Sequence, residues 1–197
     1  MPRHLDGEWR LAVLTHGEKC LDMSQYEFTL KFALPQQDVD PEVFVERLFA
    51  DGCDDALIGI GQHGRLALDF TREAPSAGEA VLRALSDVQR TIPGVRLIEA
   101  SPDFVGLTDI ANILGFSRQN MRKLLIKSGS SFPLPIHDGK PAIWHLSTVL
   151  DWFTNVKGRD LDGSLLEVSR INMQCNLVKE AAGLDDRVAD RLKELVA

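Results

Sequence analysis

The order of hydrophobic patterns in residues 26–101 constrains the fold of this 197-residue chain more than any other feature. Polar and apolar residues alternate over Tyr26–Leu34, which is the period of a half-buried strand. Patterns typical of a helix, a pair of strands, a second helix and a last strand follow, over Asp40–Gly52, Asp55–Thr71, Ser76–Gly94 and Val95–Ser101. Residues 1–25 are ambiguous between an N-terminal arm and an extra strand.

Capping residues define where these elements begin and end. Asp40 followed by Pro41 is a typical helix start, and Gly52 is a typical residue just after a helix end. Ser76 with Glu79 three residues later predicts a capping box. The order βαββαβ therefore predicts an α+β fold that begins with a ferredoxin-like domain over residues 26–101, with four antiparallel strands and two helices on one face.

We find no pattern for catalysis, for a cofactor or for a metal. The glycines at 59, 61 and 64 are typical of a hairpin turn, because no strand-to-helix junction follows them as a phosphate-binding loop requires. The three cysteines are scattered and form no CxxC pair, which argues against a disulfide framework or a zinc site. We expect a protein that is not an enzyme, although catalytic groups that meet only in space would escape this test.

Charge is distributed unevenly along the chain. The net charge is -7, yet residues 102–160 carry 7 cations against 5 carboxylates, while residues 1–101 carry 10 against 17. Ser117–Lys127 holds four cations and no acid. Because the electric field of charged side chains is screened over about one Debye length, an acidic protein can still bind nucleic acid through one basic face. No apolar run is long enough for a membrane span, and no signal peptide is visible, so we expect a cytoplasmic protein without membrane contact.

Residues 107–127 have the pattern of a helix-turn-helix. Thr108 is the expected cap of a short helix, Asp109–Leu114, and Gly115 allows a sharp reversal of the chain. Ser117 is the expected cap of a second helix, Arg118–Lys127, whose outward face is polar and cationic. A solvated surface helix would share the polar face, but it would ordinarily carry acids to pair with its cations.

The residue types on this second helix suit the major groove of DNA. Arg can pair with guanine and Gln or Asn with adenine through two hydrogen bonds, while Lys near the helix end suits phosphates. The expected base contacts come from Arg118, Gln119, Asn120 and Arg122, and the expected phosphate contacts from Lys123, Lys127 and the amides near Ser117.

Residues from about 105 to 155 resemble the winged helix-turn-helix of AlpA-type regulators and phage excisionases, which are relatives of the MerR class. The resemblance rests on "LTDIANILGFSRQNMRKLL", "FPLP", Asp138-Gly139-Lys140, Trp144 and Trp152-Phe153. It implies that the second helix enters the major groove and that a hairpin forms a wing. The wing differs from the family in being poor in Arg, because it offers only His137, Lys140 and His145. The candidate DNA-binding residues are Thr108, Ser117, Arg118, Gln119, Asn120, Arg122, Lys123, Lys127, His137 and Lys140.

The residue pattern after the second helix indicates the same elements even when the family resemblance is set aside. Phe132–Pro135 is expected to be rigid and extended, and Ile136–Ile143 to form a hairpin with its turn at Asp138-Gly139. Ser147 is the expected cap of a helix over Thr148–Asn155. Trp144 is expected in the core rather than at a DNA contact.

Residues 161–197 contain two amphipathic helix patterns. The seam of the first is expected to be Leu161, Leu165, Val168, Cys175, Val178 and Ala182. Asp185 is the candidate cap of the second, whose stripe is Leu184, Val188, Leu192 and Leu195. The apolar sides of these two helices either pack on the rest of the protein or pair with a second chain. We favour a homodimer, because two DNA-binding sites in one dimer raise the affinity for DNA.

Two functional hypotheses follow from the sequence. The first is a sequence-specific double-stranded DNA-binding protein, a prokaryotic or phage transcriptional regulator whose residues 26–101 serve dimerisation, sensing or a protein partner. The second is a protein-interaction module, such as an antitoxin or a recombination accessory factor, since the acidic first part suits a basic partner.

Overall fold

A computed structural model describes residues 23–35 and 40–196, which form a mixed α+β protein. The described part holds seven α-helices, a four-stranded antiparallel sheet and a two-stranded sheet. Its strands are β1 (Ser24–Ala33), β2 (Ala56–Gly59), β3 (Arg65–Ala74), β4 (Arg96–Ser101), β5 (Phe104–Val105) and β6 (Trp144–His145). Its helices are α1 (Val45–Ala50), α2 (Ala77–Thr91), α3 (Leu107–Ile113), α4 (Arg118–Ser128), α5 (Leu146–Asn155), α6 (Gly163–Ala181) and α7 (Asp186–Val196). Most of the expected N-terminal arm lies outside the described residues.

The larger sheet has the strand order β2-β3-β1-β4, and every neighbouring pair is antiparallel. β1 and β3 pair along their whole length, from Ser24 opposite Ala74 to Ala33 opposite Arg65. Alternate side chains of both strands are buried on one face, while those between them are partly or fully exposed. The predicted four-stranded antiparallel sheet is confirmed.

α1 and α2 pack with the buried sheet face into one hydrophobic core. The carboxylate of Asp40 accepts a hydrogen bond from the N–H of Glu42, but residues 41–50 form a 3-10 turn and a short α-helix instead of the single predicted helix. Ser76 caps α2 as predicted, by accepting from the N–H of Glu79 at 3.2 Å. Glu79 pairs with Arg83 instead, so only half of the predicted capping box forms.

A second core lies among α3, α4, α5 and the two-stranded sheet. The prediction that Ser147 caps α5 is wrong, because α5 begins at Leu146 and Ser147 is buried, with its hydroxyl donating to the sulfur of Met173. The N–H of Leu146 donates to the carbonyl of Asp103 at 2.7 Å. This bond ties the helix start to the chain before β5, which no local sequence pattern shows.

α6 runs along β4, the edge strand of the larger sheet, and also packs on α5. An edge strand presents unpaired N–H and C=O groups, which proteins commonly cover. The side-chain amide of Asn176 supplies the missing partners: it accepts from the N–H of Ala100 at 2.9 Å and donates to the carbonyl of Ala100 at 2.8 Å. The ammonium of Lys179 donates to the carbonyl of Ile98 in the same strand.

The predicted apolar seam of α6 is therefore wrong in its second half. Val178 is 70% exposed and Ala182 is also exposed, whereas Asn172 and Asn176 are completely buried. The reason is the surface that α6 covers: a strand edge offers backbone polar groups, so amides fit there better than methyl groups. Val168 alone of the predicted seam is fully in the core.

No helix in the described part of the chain is long and apolar enough to cross a bilayer.

Candidate nucleic-acid interface

The residue that precedes α3 lies two positions earlier than the sequence predicted. Gly106 is the residue before the helix, and its N–H donates to the carboxylate of Asp109 at 2.9 Å. Thr108 lies inside the first turn with an exposed side chain, so the prediction that it caps the helix is wrong. A carboxylate near a helix N-terminus is the stronger acceptor, since it also meets the positive end of the helix dipole.

The turn between α3 and α4 has the predicted chemistry. Gly115 has φ of +70°, a conformation that side chains with a Cβ atom rarely adopt. The N–H of Phe116 donates to the carbonyl of Ala111 at 2.7 Å, which closes the turn. The hydroxyl of Ser117 accepts from the N–H of Asn120 at 3.2 Å, so the predicted cap of α4 is confirmed.

Arg159, which sequence reasoning missed, holds this turn against the rest of the domain. Its guanidinium donates to the carbonyl of Leu114 at 2.9 Å and lies 4.7 Å from the ring centre of Phe116. Phe116 in turn packs on Phe153 of α5. Because Arg159 lies beyond the end of α5 and 45 residues after Leu114, no local pattern links it to the turn.

The inward side of α4 is anchored by Met121, which is completely buried with Ile110 and Ala111 of α3. This packing fixes the rotation of α4 and so decides which of its side chains point outward. The outward side chains are all exposed: Arg118, Gln119, Asn120, Arg122, Lys123 and Lys127. Among the residues that the structure describes, none of these four cations makes an ion pair.

The segment after α4 is held by aromatic packing. Phe132 is buried between Trp144 and Trp152, with ring centres 6.0 Å and 5.0 Å away. The indole N–H of Trp144 donates to the carbonyl of Pro133 at 3.0 Å. Trp144 therefore belongs to the core, as predicted, and the "FPLP" stretch is fixed rather than loose.

A short hairpin follows, in the place predicted for a wing. The N–H of Ile143 donates to the carbonyl of His137 at 3.0 Å, and the N–H of Ile136 donates to the carbonyl of Ile143 at 2.8 Å. The side chains of His137 and Lys140 are exposed on this hairpin.

α4, the start of α3 and the hairpin enclose a cleft of about 860 Å³. Arg118 and Arg122 line it from α4, Thr108 from α3 and Lys140 from the hairpin. Asp109 also lines it, although its carboxylate is engaged by the N–H of Gly106. The structure thus brings four of the predicted residues to one cleft, while Gln119, Asn120, Lys123 and Lys127 lie outside its lining.

His145 is not a wing residue, contrary to the expectation from the resemblance. It is buried, and its Nδ1 lies 2.7 Å from the carboxylate of Asp103, which is completely buried. Asn176 donates to the other oxygen of that carboxylate at 2.8 Å. Sequence reasoning missed this network, which joins β4, β6 and α6, because its members are far apart in the chain.

No group of three or more His, Cys, Asp or Glu side chains in the described residues is placed to hold a metal ion. Two cysteines lie in this part, Cys53 and Cys175, and both are free thiols. Burial, with a further contribution from Asp87, raises the pKa of Cys53 to about 11. At neutral pH this thiol stays protonated and is a poor nucleophile.

Comparison of the chain with models of known protein families, with curated proteins and with solved structures finds no match.

Proposed function

We propose that the chain is a sequence-specific double-stranded DNA-binding protein, a prokaryotic or phage transcriptional regulator that places α4 in the major groove. In this proposal residues 26–101 are a ferredoxin-like domain and residues 105–157 are a winged helix-turn-helix of the AlpA and excisionase kind. The strand order β2-β3-β1-β4 and the helix–turn–helix–hairpin order support these two assignments.

One observation carries the proposal: the outward face of α4 bears four exposed cations with no ion-pair partner among residues 23–35 and 40–196. Like charges on one helix face repel each other and destabilise the helix slightly. A polyanion supplies the missing partners, and DNA phosphates do so along a line that a helix can follow.

The distribution of side chains along α4 matches how helices contact DNA. Arg118, Gln119, Asn120 and Arg122 lie in the first half of the helix, which in helix-turn-helix proteins contacts base edges. Lys123 and Lys127 lie further along, where contacts to phosphate position the protein. Lys140 faces the same cleft from the hairpin and suits the adjacent backbone.

The test is a fluorescence-anisotropy titration with a duplex selected from genomic fragments by the purified protein. The variant Arg118→Ala, Arg122→Ala, Lys123→Ala should bind that duplex at least about a hundredfold more weakly, since one good contact from Arg to a base contributes about 1–3 kcal/mol.

A matched control removes three exposed cations from the first domain: Arg65→Ala, Arg83→Ala and Arg96→Ala. It lowers the net charge by the same amount as the α4 variant does. At an ionic strength that screens charges beyond about one Debye length, its affinity should stay within about threefold of that of the original chain. Equal losses in both variants would show a non-specific charge effect, and no loss in the α4 variant would refute the site.

A second candidate function is supported by the open face of the larger sheet. Exposed Glu27, Asp69 and Glu73 lie on that face, where a groove of about 640 Å³ runs toward the start of α6. This acidic face suits a basic protein partner, as an antitoxin or recombination accessory factor would require. Charge reversal at Glu27 and Asp69 should abolish binding to such a partner, and it should leave binding to DNA intact.

A further inference from the structure

A side chain from outside the helix-turn-helix holds the end of α3. Arg159 donates from Nη2 to the carbonyl of Leu114 at 2.9 Å, and its guanidinium lies 4.7 Å from the ring centre of Phe116. Leu114 follows the last residue of α3, where carbonyl groups lack a partner within the helix. A cation at this point also meets the negative end of the helix dipole. Arg159 therefore stabilises the start of the turn that leads to α4.

Phe153 of α5 links Arg159 to the turn a second time. Its ring packs on Phe116, with ring centres 6.0 Å apart, and its carbonyl accepts from the N–H of Arg159 at 3.1 Å. Gly158 has φ of +60°, a conformation that favours glycine, and it turns the chain back toward α5 after that helix ends. The backbone of Arg159 is thus fixed at the point from which its side chain reaches the turn.

The segment after Arg159 is fixed as well. The carboxylate of Asp162 accepts from the N–H of Ser164 at the start of α6 at 2.9 Å, and Leu161 and Leu165 pack against the second core. Arg159 therefore joins the turn to α6, which is the helix that covers the edge of β4.

The guanidinium of Arg159 faces the protein, whereas the cations of α4 face outward. Its Nη1 is buried, and its Nη2 donates to the carbonyl of Leu114. Because solvent does not reach Nη1 and Leu114 engages Nη2, neither nitrogen is available to a DNA phosphate. We therefore expect Arg159 to act on DNA binding through the turn and α4.

Given the proposed DNA-binding function, on which this step rests, we propose that Arg159 is a positioning residue that sets the placement of α4 without contacting DNA. Contacts to base edges need side chains held within about 0.5 Å of the productive geometry. Contacts to phosphate carry no sequence information. A shift of α4 should therefore reduce the preference for one sequence more than the affinity for DNA in general.

Fluorescence anisotropy with the selected duplex and with a scrambled duplex tests this role. Arg159→Met keeps an unbranched side chain against Phe116 but removes the guanidinium. It should lower the ratio of the two affinities at least about tenfold, which is the equivalent of one lost base contact. The dependence of affinity on salt concentration should stay unchanged, because it reflects the number of phosphates contacted. A general loss of folded protein would weaken both affinities equally and leave the ratio unchanged.

Lys157→Met is the matched control, because it removes a cation two residues away. Lys157 is exposed, and its Nζ lies 4.7 Å from the ring centre of Trp152. This variant should leave the ratio of affinities unchanged. A chain that prefers the selected duplex while Arg159→Met keeps the full ratio would overturn the positioning role alone. An original chain that prefers no duplex would refute the proposed function, and this role with it.

Amide hydrogen exchange without DNA tests the geometry separately. The N–H of Phe116 closes the turn, and the N–H of Met121 donates to the carbonyl of Ser117 in the first turn of α4. In Arg159→Met both amides should exchange at least about tenfold faster, because a hydrogen bond from a charged group is lost. The amides of β1 and β3 should keep their protection, as in a folded protein. Unchanged exchange at Phe116 and Met121 would overturn the positioning role whatever the DNA titrations show.

Discussion

Arginine has opposite roles at the larger sheet and on α4, and its partners make the difference. Arg72 is buried on the larger sheet, where its guanidinium donates to Asp55 at 2.6 and 2.9 Å, to Asp87 at 2.9 Å and to the carbonyl of Gly52 at 2.6 Å. Burial alone would lower the pKa of Arg72, but the bonds to Asp55 and Asp87 outweigh it and raise that pKa. Arg118 and Arg122 are exposed, and neither makes an ion pair with a carboxylate in the described part of the chain.

This contrast separates a structural cation from one available to a ligand. A charge that is buried and fully paired stabilises its own domain only while its partners remain. A charge that is exposed and unpaired contributes little to folding and remains accessible to a ligand. Both kinds occur in one chain, and the sequence around each does not by itself distinguish them.

The two kinds of arginine should differ most in how much their substitution lowers the free energy of unfolding. Arg72→Met should lower the free energy of unfolding by about 3 kcal/mol, because it leaves the charge of Asp55 without its partner and that of Asp87 with Arg90 alone. The matched change Arg122→Met should alter it by less than about 0.5 kcal/mol. Urea unfolding followed by circular dichroism measures both, and similar losses in the two variants would contradict the distinction.

A smaller effect is expected where the buried side chain that is removed carries no charge. Asn176→Leu removes the amide that satisfies Ala100 at the strand edge and one donor to Asp103, and it should cost about 2–3 kcal/mol of unfolding free energy. Gln174→Leu, at an exposed position of the same helix, should change stability by less than about 0.5 kcal/mol. A neutral Asn176→Leu would show that the edge of β4 is satisfied in another way.

The sequence predicted those features that depend on neighbouring residues. Alternation identified β1, and the pattern of two strands around a glycine turn identified β2 and β3. Ser76 and Ser117 were correctly placed as caps, and the turn at Gly115 followed from its neighbours. The outward residues of α4 could be predicted as well, because the 3.6-residue period fixes them once Met121 is assigned to the core.

Features that depend on a surface formed elsewhere in the fold could not be predicted. The buried side of α6 contains Asn172 and Asn176, since it faces a strand edge whose position no local pattern reveals. Thr108 and Ser147 resemble caps, but the helix starts are set by bonds of Gly106 and Leu146 to other groups. His145 resembles a wing residue in the sequence, but in the structure its Nδ1 lies 2.7 Å from the buried carboxylate of Asp103.

The most direct test is to map amide chemical-shift changes by NMR when the selected duplex is added to ¹⁵N-labelled protein. If the unpaired cations of α4 face DNA, the largest changes should lie at Ser117–Lys127 and at the hairpin residues His137–Lys140, with little change around Arg72. Changes confined to the open sheet face, or an absence of changes along α4 under saturating DNA, would contradict that assignment.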